Sequence, residues 1–192
     1  TSPKVMSVTM HPFLAGRAFY FPYKTNLVNG GNGYNYGAEL TLERFLDKGF
    51  YYLFTASVFE SKYKASDNVW RNTAFNSNYT FNILTGREFR ISRKASVSFD
   101  TKLAYAGGQR YTPFDIAASA AAGYVTFKED ESYSLKNDDY FRWDFKISYA
   151  RNGKRTTQKW YIDLQNITNR KNMYVRTLNP NDGSISEIYQ IG

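Results

Sequence analysis

The stretch Phe141-Arg142-Trp143-Asp144-Phe145-Lys146-Ile147-Ser148-Tyr149 decides the fold class. Phe141, Trp143, Phe145, Ile147 and Tyr149 fall on one side of a two-residue repeat, and Arg142, Asp144, Lys146 and Ser148 fall on the other. Successive side chains alternate across an extended backbone, so this is a two-faced β-strand and not a helix, whose apolar residues recur at every third and fourth position.

The same period extends outward in both directions. Val97, Phe99, Thr101, Leu103 and Tyr105 oppose Ser98, Asp100, Lys102 and Ala104. Tyr36, Ala38, Leu40 and Leu42 oppose Gly37, Glu39, Thr41 and Glu43. Less regular runs cover Phe50 to Ser61, Asn78 to Thr85 and Trp160 to Leu164. The segment from about Val5 to Tyr23 reads as one or two strands, and Ile185 to Ile191 as another. The alanine-rich stretch Ile116–Ala122 is too short to carry a helical fold. The chain is expected to be all-β, with about eight or nine strands.

The connections alternate in length. Leu46-Asp47-Lys48-Gly49 is tight, Lys62 to Phe75 is longer, Gly86 to Lys94 is short, and Ala106 to Tyr140 takes 35 residues. Ala150 to Thr157 is short again and Thr168 to Ser184 is long. A 35-residue connection counts against a compact soluble domain of this size. Short turns at one end and long loops at the other are the rhythm of an outer-membrane barrel.

Composition removes several function classes. There is no cysteine and one histidine, His11, which excludes disulfide staples, thiol chemistry and multi-histidine metal sites. No apolar run is long enough for a transmembrane helix, but a transmembrane strand needs only about 9–11 residues of alternating character. Twenty-five Lys and Arg against 17 Asp and Glu give a net charge of +8. Those cations are scattered, the densest group being Arg151-Asn152-Gly153-Lys154-Arg155 in a turn, so nucleic acid is not the expected partner. Basic turns at a membrane rim beside anionic head groups fit the same residues. Aromatic residues make up 18% of the chain.

The expected arrangement is a transmembrane antiparallel β-barrel. Lipid supplies no hydrogen-bond partner, so every backbone group at membrane depth must be paired in a closed sheet. Glu39, Glu43, Asp100, Lys102, Asp144, Lys146 and Asp163 then face inward. Tyr36, Tyr105, Phe141, Tyr149 and Trp160 lie at the interfacial girdles. A soluble β-sheet protein with its apolar face on a core predicts the same alternation and stays as the alternative, together with a small passive or structural barrel.

Several stretches carry a resemblance. They are Asn35 to Glu43, Trp70-Arg71-Asn72-Thr73-Ala74-Phe75-Asn76, Tyr105 to Asp115 with its Gly107-Gly108-Gln109-Arg110-Tyr111, Asp139 to Asp144, and Asp163-Leu164-Gln165-Asn166-Ile167-Thr168-Asn169-Arg170. In this order and spacing, over residues 34–192, the chain resembles the carboxy-terminal part of the barrel of TonB-dependent outer-membrane receptors of the Bacteroidetes type. The resemblance implies a cell-outer-membrane location and a 22-stranded barrel of which residues 1–192 are a C-terminal portion. It also implies a plug domain elsewhere in the receptor. Partners would be outer-membrane lipid, that plug, and the inner-membrane TonB complex acting on an N-terminal segment outside this sequence. The implied function is energised uptake of a scarce nutrient such as a siderophore, vitamin, peptide or glycan, with no covalent chemistry and no cofactor. The family continues past Gln190-Ile191-Gly192 into a closing strand that ends in an aromatic residue.

The candidate ligand- or plug-contacting residues are Gly107, Gly108, Arg110, Tyr111 and Arg142. Gly107 and Gly108 are read either as part of a ligand vestibule or as the place where strand turns into loop. Arg110 and Arg142 are read as paired with inward acids or as a grip on an anionic ligand. Glu129-Asp130-Glu131 with Asp138 and Asp139 invites a calcium reading, but the spacing matches no EF-hand loop, and a solvated acidic loop is expected. Asn181-Asp182-Gly183 and Asn29-Gly30-Gly31-Asn32-Gly33 read as turns. With one histidine and no cysteine, nothing singles out an enzymatic site.

Overall fold

The structure, a computed structural model, describes residues 30–190. In chain order the elements are β1 (Asn32–Asp47), β2 (Phe50–Lys64), β3 (Trp70–Asn72), β4 (Tyr79–Ser92), β5 (Ala95–Ala106), β6 (Arg110–Tyr111), α1 (Ile116–Ala122), a short 3-10 turn (Glu129–Glu131), β7 (Leu135–Lys136), β8 (Tyr140–Asn152), β9 (Thr157–Leu164), β10 (Asn172–Leu178) and β11 (Ile185–Gln190). The expected strands at Val5 to Tyr23, and His11, lie outside the described residues.

Six long strands form one antiparallel meander in the order β1-β2-β4-β5-β8-β9. β3 adds to the end of β2. Among the described residues the sheet is open, with β1 and β9 as its edges, and no closed barrel is formed. β10 and β11 pair only with each other, as do β6 and β7.

The register explains the alternation in the sequence. Leu42, Phe54, Ile83, Leu103 and Trp143 align across five strands. The next aligned row on that face is Tyr52, Thr85, Thr101, Phe145 and Leu164. The opposite face aligns Thr41, Thr55, Asn82, Ala104 and Arg142, and then Glu43, Leu53, Leu84, Lys102 and Asp144. A slip of one residue would exchange the faces, so every strand's pattern agrees with every other's. On the polar face charges meet opposite signs. Asp100 lies beside Lys146 and Lys146 beside Asp163, while Lys102 lies beside Asp144. Such cross-strand pairs stabilise a sheet by tenths of a kcal/mol to about 1 kcal/mol each. Tyr51 reaches across Gly86 to donate a 2.8 Å hydrogen bond to Asp100. A Cβ on Gly86 would sit 2.2 Å from the Asp100 carboxylate and 2.5 Å from the Tyr51 ring, so only glycine leaves this path open.

Short turns all lie at one end of the sheet. Asp47 pairs with Phe50, so Lys48 and Gly49 alone turn the chain, with φ of 51° and 79°. Positive φ at both central positions is the hairpin turn whose twist matches the strands. Ser92 pairs with Ala95 across Arg93 and Lys94, and Asn152 pairs with Thr157 across residues 153–156. The long connections lie at the other end. Residues 107–139 are folded: α1 is capped by Asp115, whose Oδ1 accepts from the Ala118 amide, and closed by Gly123 in the left-handed region. Phe114 bridges Phe127, their rings 5.3 Å apart, and Ser119 is buried between Asp115 and Thr126.

Two expectations about the ends change. Residues 168–184 are not one long loop, because 172–178 form β10. Asn166 and Asn169 take positive φ, and Asn166 caps its own turn by accepting from the Arg170 amide. Past β9 the chain still follows β8: the Ile167 amide donates to Trp143 O, and the Asn172 amide both accepts from and donates to the Phe141 backbone. A side-chain amide thus stands in for a backbone partner, and β10 leaves the sheet. The Asn181-Asp182-Gly183 turn joins β10 to β11 as read. Asn32 and Gly33, read as turn residues, are instead the start of β1, paired with Lys64 and Tyr63. Gly has no Cβ to oppose pairing, and an edge strand tolerates it.

Leu178 is the one buried hydrophobic residue among those described. Among the described residues nothing lies over the apolar face of the sheet. Leu40 is 51% exposed, Trp143 41% and Ile162 65%.

Candidate functional site

The connection between β5 and β8 carries four of the five candidate residues, and two backbone contacts place it. Gly107 donates to Tyr79 O at 3.0 Å, and a Cβ there would lie 1.9 Å from Ser77 O. A Cβ on Gly108 would lie 1.8 Å from Asn137 O. Neither glycine has positive φ. Their role is close approach of three backbone segments, which any side chain would block.

Arg110 does not pair with an inward acid. Its Nε donates to Asn76 O at 2.8 Å and Nη2 donates to Asn78 Oδ1 at 3.2 Å. Asn76 is fully buried. Its Oδ1 accepts from the Ser61 amide at 3.0 Å, and its Nδ2 donates to Asn72 at 2.9 Å. Arg110 therefore ties the 107–139 connection to the knot that joins β2, β3 and β4. Burial of these polar groups is tolerable because each has a partner.

Arg142 lies apart, on the polar face of β8. Its Nε donates to both oxygens of Asp144, at 2.8 and 3.0 Å, and Asp144 also accepts from the Asn166 amide at 2.8 Å. Among the described residues no hydrogen bond or ion pair joins Arg142 to the other four candidates.

Sequence reading passed over Asp139 as one acid of a solvated loop. The structure corrects this. Its Oδ2 accepts hydrogen bonds from Tyr79 at 2.5 Å and Tyr105 at 2.7 Å, and its Oδ1 accepts from the Gly108 amide at 3.1 Å. Lys136 Nζ stands 3.7 Å away and 4.9 Å above the Tyr79 ring. Arg170 donates to the Asp139 carbonyl. The hydroxyl of Tyr79 first, then that of Tyr105, and the Gly108 amide hold this carboxyl down at about 2, against a smaller opposing push from burial. The signal was present in the sequence as two tyrosines at strand ends, but their meeting point depends on register. Among the described residues no three carboxylates or histidines gather into a metal cradle.

Tyr111 borders an open cleft of about 430 Å³ between the 107–139 connection and the β10–β11 hairpin. Pro113, Phe114, Leu135 and Ile185 form its apolar walls, and Arg176 and Glu187 its polar side. Arg176 stacks 4.6 Å from the Tyr111 ring centre, pairs with Glu187 at 2.9 Å and donates to Asn137 at 2.7 Å. Arg176 was not legible as a site residue, because the strand that carries it, β10, was read as part of a loop. The whole end is a hydrogen-bonded scaffold with a partly aromatic opening.

Comparison with protein-family models, with curated proteins and with solved structures finds no match to this chain.

Proposed function

We propose that the chain is a wall segment of an outer-membrane β-barrel, and that the barrel belongs to a TonB-dependent receptor that takes up a scarce nutrient. In this reading the apolar face meets lipid and the polar face meets the lumen and the receptor's plug. The 107–139 connection and the β10–β11 hairpin form part of the outer vestibule. The inner-membrane TonB complex supplies energy through an N-terminal region of the receptor. The nutrient class stays that of the resemblance: siderophore, vitamin, peptide or glycan.

One observation carries the membrane part. Among the described residues the apolar face is broad and uncovered, and its threonine hydroxyls at Thr85 and Thr101 and its Trp143 indole are bonded within the sheet. Thr85 donates to Tyr51 O at 2.9 Å and Thr101 donates to Asp144 O at 3.0 Å. The Trp143 indole donates to Thr101 Oγ1 at 2.8 Å. Water would satisfy these groups at no cost, whereas lipid demands internal partners. Exposed apolar patches of this breadth are rare on soluble monomers.

The bands of rings agree. Tyr79, Phe81 and Tyr105 stack at the loop end, and Tyr149 stacks on Trp160 near the turn end. Tyr79 to Phe89 along β4 spans about 34 Å of strand. A tilt of about 40° reduces this to roughly 26 Å, near the ~25 Å apolar band of such barrels.

The test is fractionation of the full-length protein, with electrophoresis before and after heating. Membrane association and a heat-shifted band are expected. Extraction by buffer without detergent would sink the reading. The receptor part is tested separately, by ligand-dependent cross-linking of the full-length protein to TonB.

A further inference from the structure

The two ends of the sheet treat their cations differently. At the loop end each described cation has a partner. Lys62 pairs with Glu60, Arg71 with Asp67, Lys128 with Glu131, Lys136 with Asp139 and Arg176 with Glu187. Arg110 and Arg170 donate to carbonyls, and Lys64 and Lys171 lie over Trp70 and Tyr189. At the turn end Arg44 pairs with Asp47, but the cations of the three turns have no acid or carbonyl partner among the described residues. These are Lys48, then Arg93 and Lys94, then Lys154 and Arg155, all exposed.

The turns form one rim. The Asn152 amide donates to Lys94 O, which sets the second turn beside the third, while the Glu88 amide donates to Gly49 O, so the first turn lies against β4 five residues before Arg93. The second and third hairpins are therefore about 10 Å apart, and the first is set back along the strands by roughly 17 Å. Two further arginines stand on the apolar face, Arg87 opposite Phe50 beside the first turn and Arg151 opposite Ala95 beside the second. Arg87 is 4.9 Å from the Phe89 ring, and Arg151 follows Tyr149. The rings beside them are the turn-end band. An arginine at that depth extends its charged head outward while its stem stays on apolar surface.

We propose that this rim binds the phosphate head groups of anionic phospholipid in the leaflet on the turn side of the sheet. The proposal rests on the barrel reading above. Free cations in turns that border aromatic rings and apolar-face arginines favour lipid over a soluble acidic partner. Such a partner would need no adjacent rings and no arginines on the apolar face. A surface cation within reach of an anionic leaflet adds affinity in proportion to their number, and the attraction is screened by salt.

The experiment uses the full-length protein in nanodiscs of phosphatidylethanolamine with one fifth phosphatidylglycerol. Lipids retained after transfer to mild detergent are counted by native mass spectrometry. Retained phosphatidylglycerol is expected to exceed its share severalfold, and to return to that share in high salt. The variant R93Q/K94Q/K154Q/R155Q is expected to lose about tenfold of that preference while keeping its heat-shifted band. Retention of the two lipids in proportion to supply, with the heat-shifted band intact, overturns the proposal and leaves the barrel reading standing. Loss of the band in the unaltered protein overturns both. Soluble polyglutamate that displaces the retained phosphatidylglycerol at equal charge overturns the lipid assignment. The milder pair R93Q/K94Q, which leaves the β8–β9 turn untouched, gives the same comparison should the fourfold variant misfold, and unchanged retention in that pair counts against the proposal.

Discussion

The turn end and the loop end of the sheet are built from the same strands by opposite means. At the turn end, links of two to four residues reverse the chain, and their cations are exposed with no acid or carbonyl partner among the described residues. At the loop end the chain folds a helix, small ribbons and a separate hairpin, and its cations are taken up by acids, carbonyls and rings. A turn of two residues has no surface to bury and leaves charge to whatever lies outside. A connection as long as 107–139 must satisfy its own backbone and polar groups, so Asp115 caps its helix while Arg110 and Asp139 tie it to the strand ends beside it. The difference assigns external chemistry to the turns and architecture to most of the loop residues, with the cleft at Tyr111 as the opening left over.

The contrast can be broken first between the ends, in the strip of wall that separates them. Ile83→Arg puts a charge on the central row of the apolar face. In a bilayer this is expected to cost about 2–4 kcal/mol, whereas an exposed face in water would feel under about 0.5 kcal/mol. Urea titration of the folded band in vesicles distinguishes the two, and a small effect would remove the lipid contact. Next, Gly86→Ala drives a methyl into the path from Tyr51 to Asp100 and is expected to destabilise by about 1–3 kcal/mol. Tyr51→Phe should be milder in the same titration, because it leaves no clash.

At the loop end, Asp139→Asn removes the carboxylate that two tyrosines and Gly108 share, and a loss of about 1–2 kcal/mol is expected. The sign in pH follows from the lowered folded value. Stability from this group is fully present above about 3.8 and is lost as pH falls towards about 2. Protease cleavage within 107–139 should therefore rise between pH 4 and pH 2, measured with an acid-active protease. The Asn variant should show elevated cleavage that varies little over that window. Equal pH dependence in both proteins would show that Asp139 does not hold the loop. The smallest effect belongs to the turn end. Lys154→Gln is expected to leave unfolding in neutral detergent within about 0.5 kcal/mol, since it breaks no internal contact. A larger loss would mean that the turn cations, too, serve the fold.

The strands were legible because a two-faced sheet writes its period into each strand separately. Phe141 to Tyr149 needs no neighbour to be read, and β5, β8 and the core of β1 follow the expected boundaries closely. The short turns were legible for the same reason, as gaps between periods, although the gap read at Gly86 to Lys94 narrows to Arg93-Lys94 because β4 runs on to Ser92. β10 was missed because Asn172 to Leu178 pairs only with β11 and has no clean alternation against the sheet. The role of Asp139 was missed because it is set by Tyr79 and Tyr105, which lie 60 and 34 residues away. Arg110 was recognised as a residue of consequence, but its partners are a carbonyl and an amide of another loop, and sequence spacing names neither.

What the sequence by itself determined is the set of properties that alternate along a strand: strand positions, the two faces, the absence of a helical span, and the rhythm of short and long links. These depend on backbone geometry over two or three residues, and local sequence carries them. The tertiary structure alone decided which charges are free and which are spent. It also decided that Gly107 and Gly108 serve close packing and that Asn172 turns the chain off the sheet. Those outcomes depend on the register between strands and on where loops from distant segments meet. Such meetings are fixed by the balance of many contacts at once, and no single stretch of sequence encodes them.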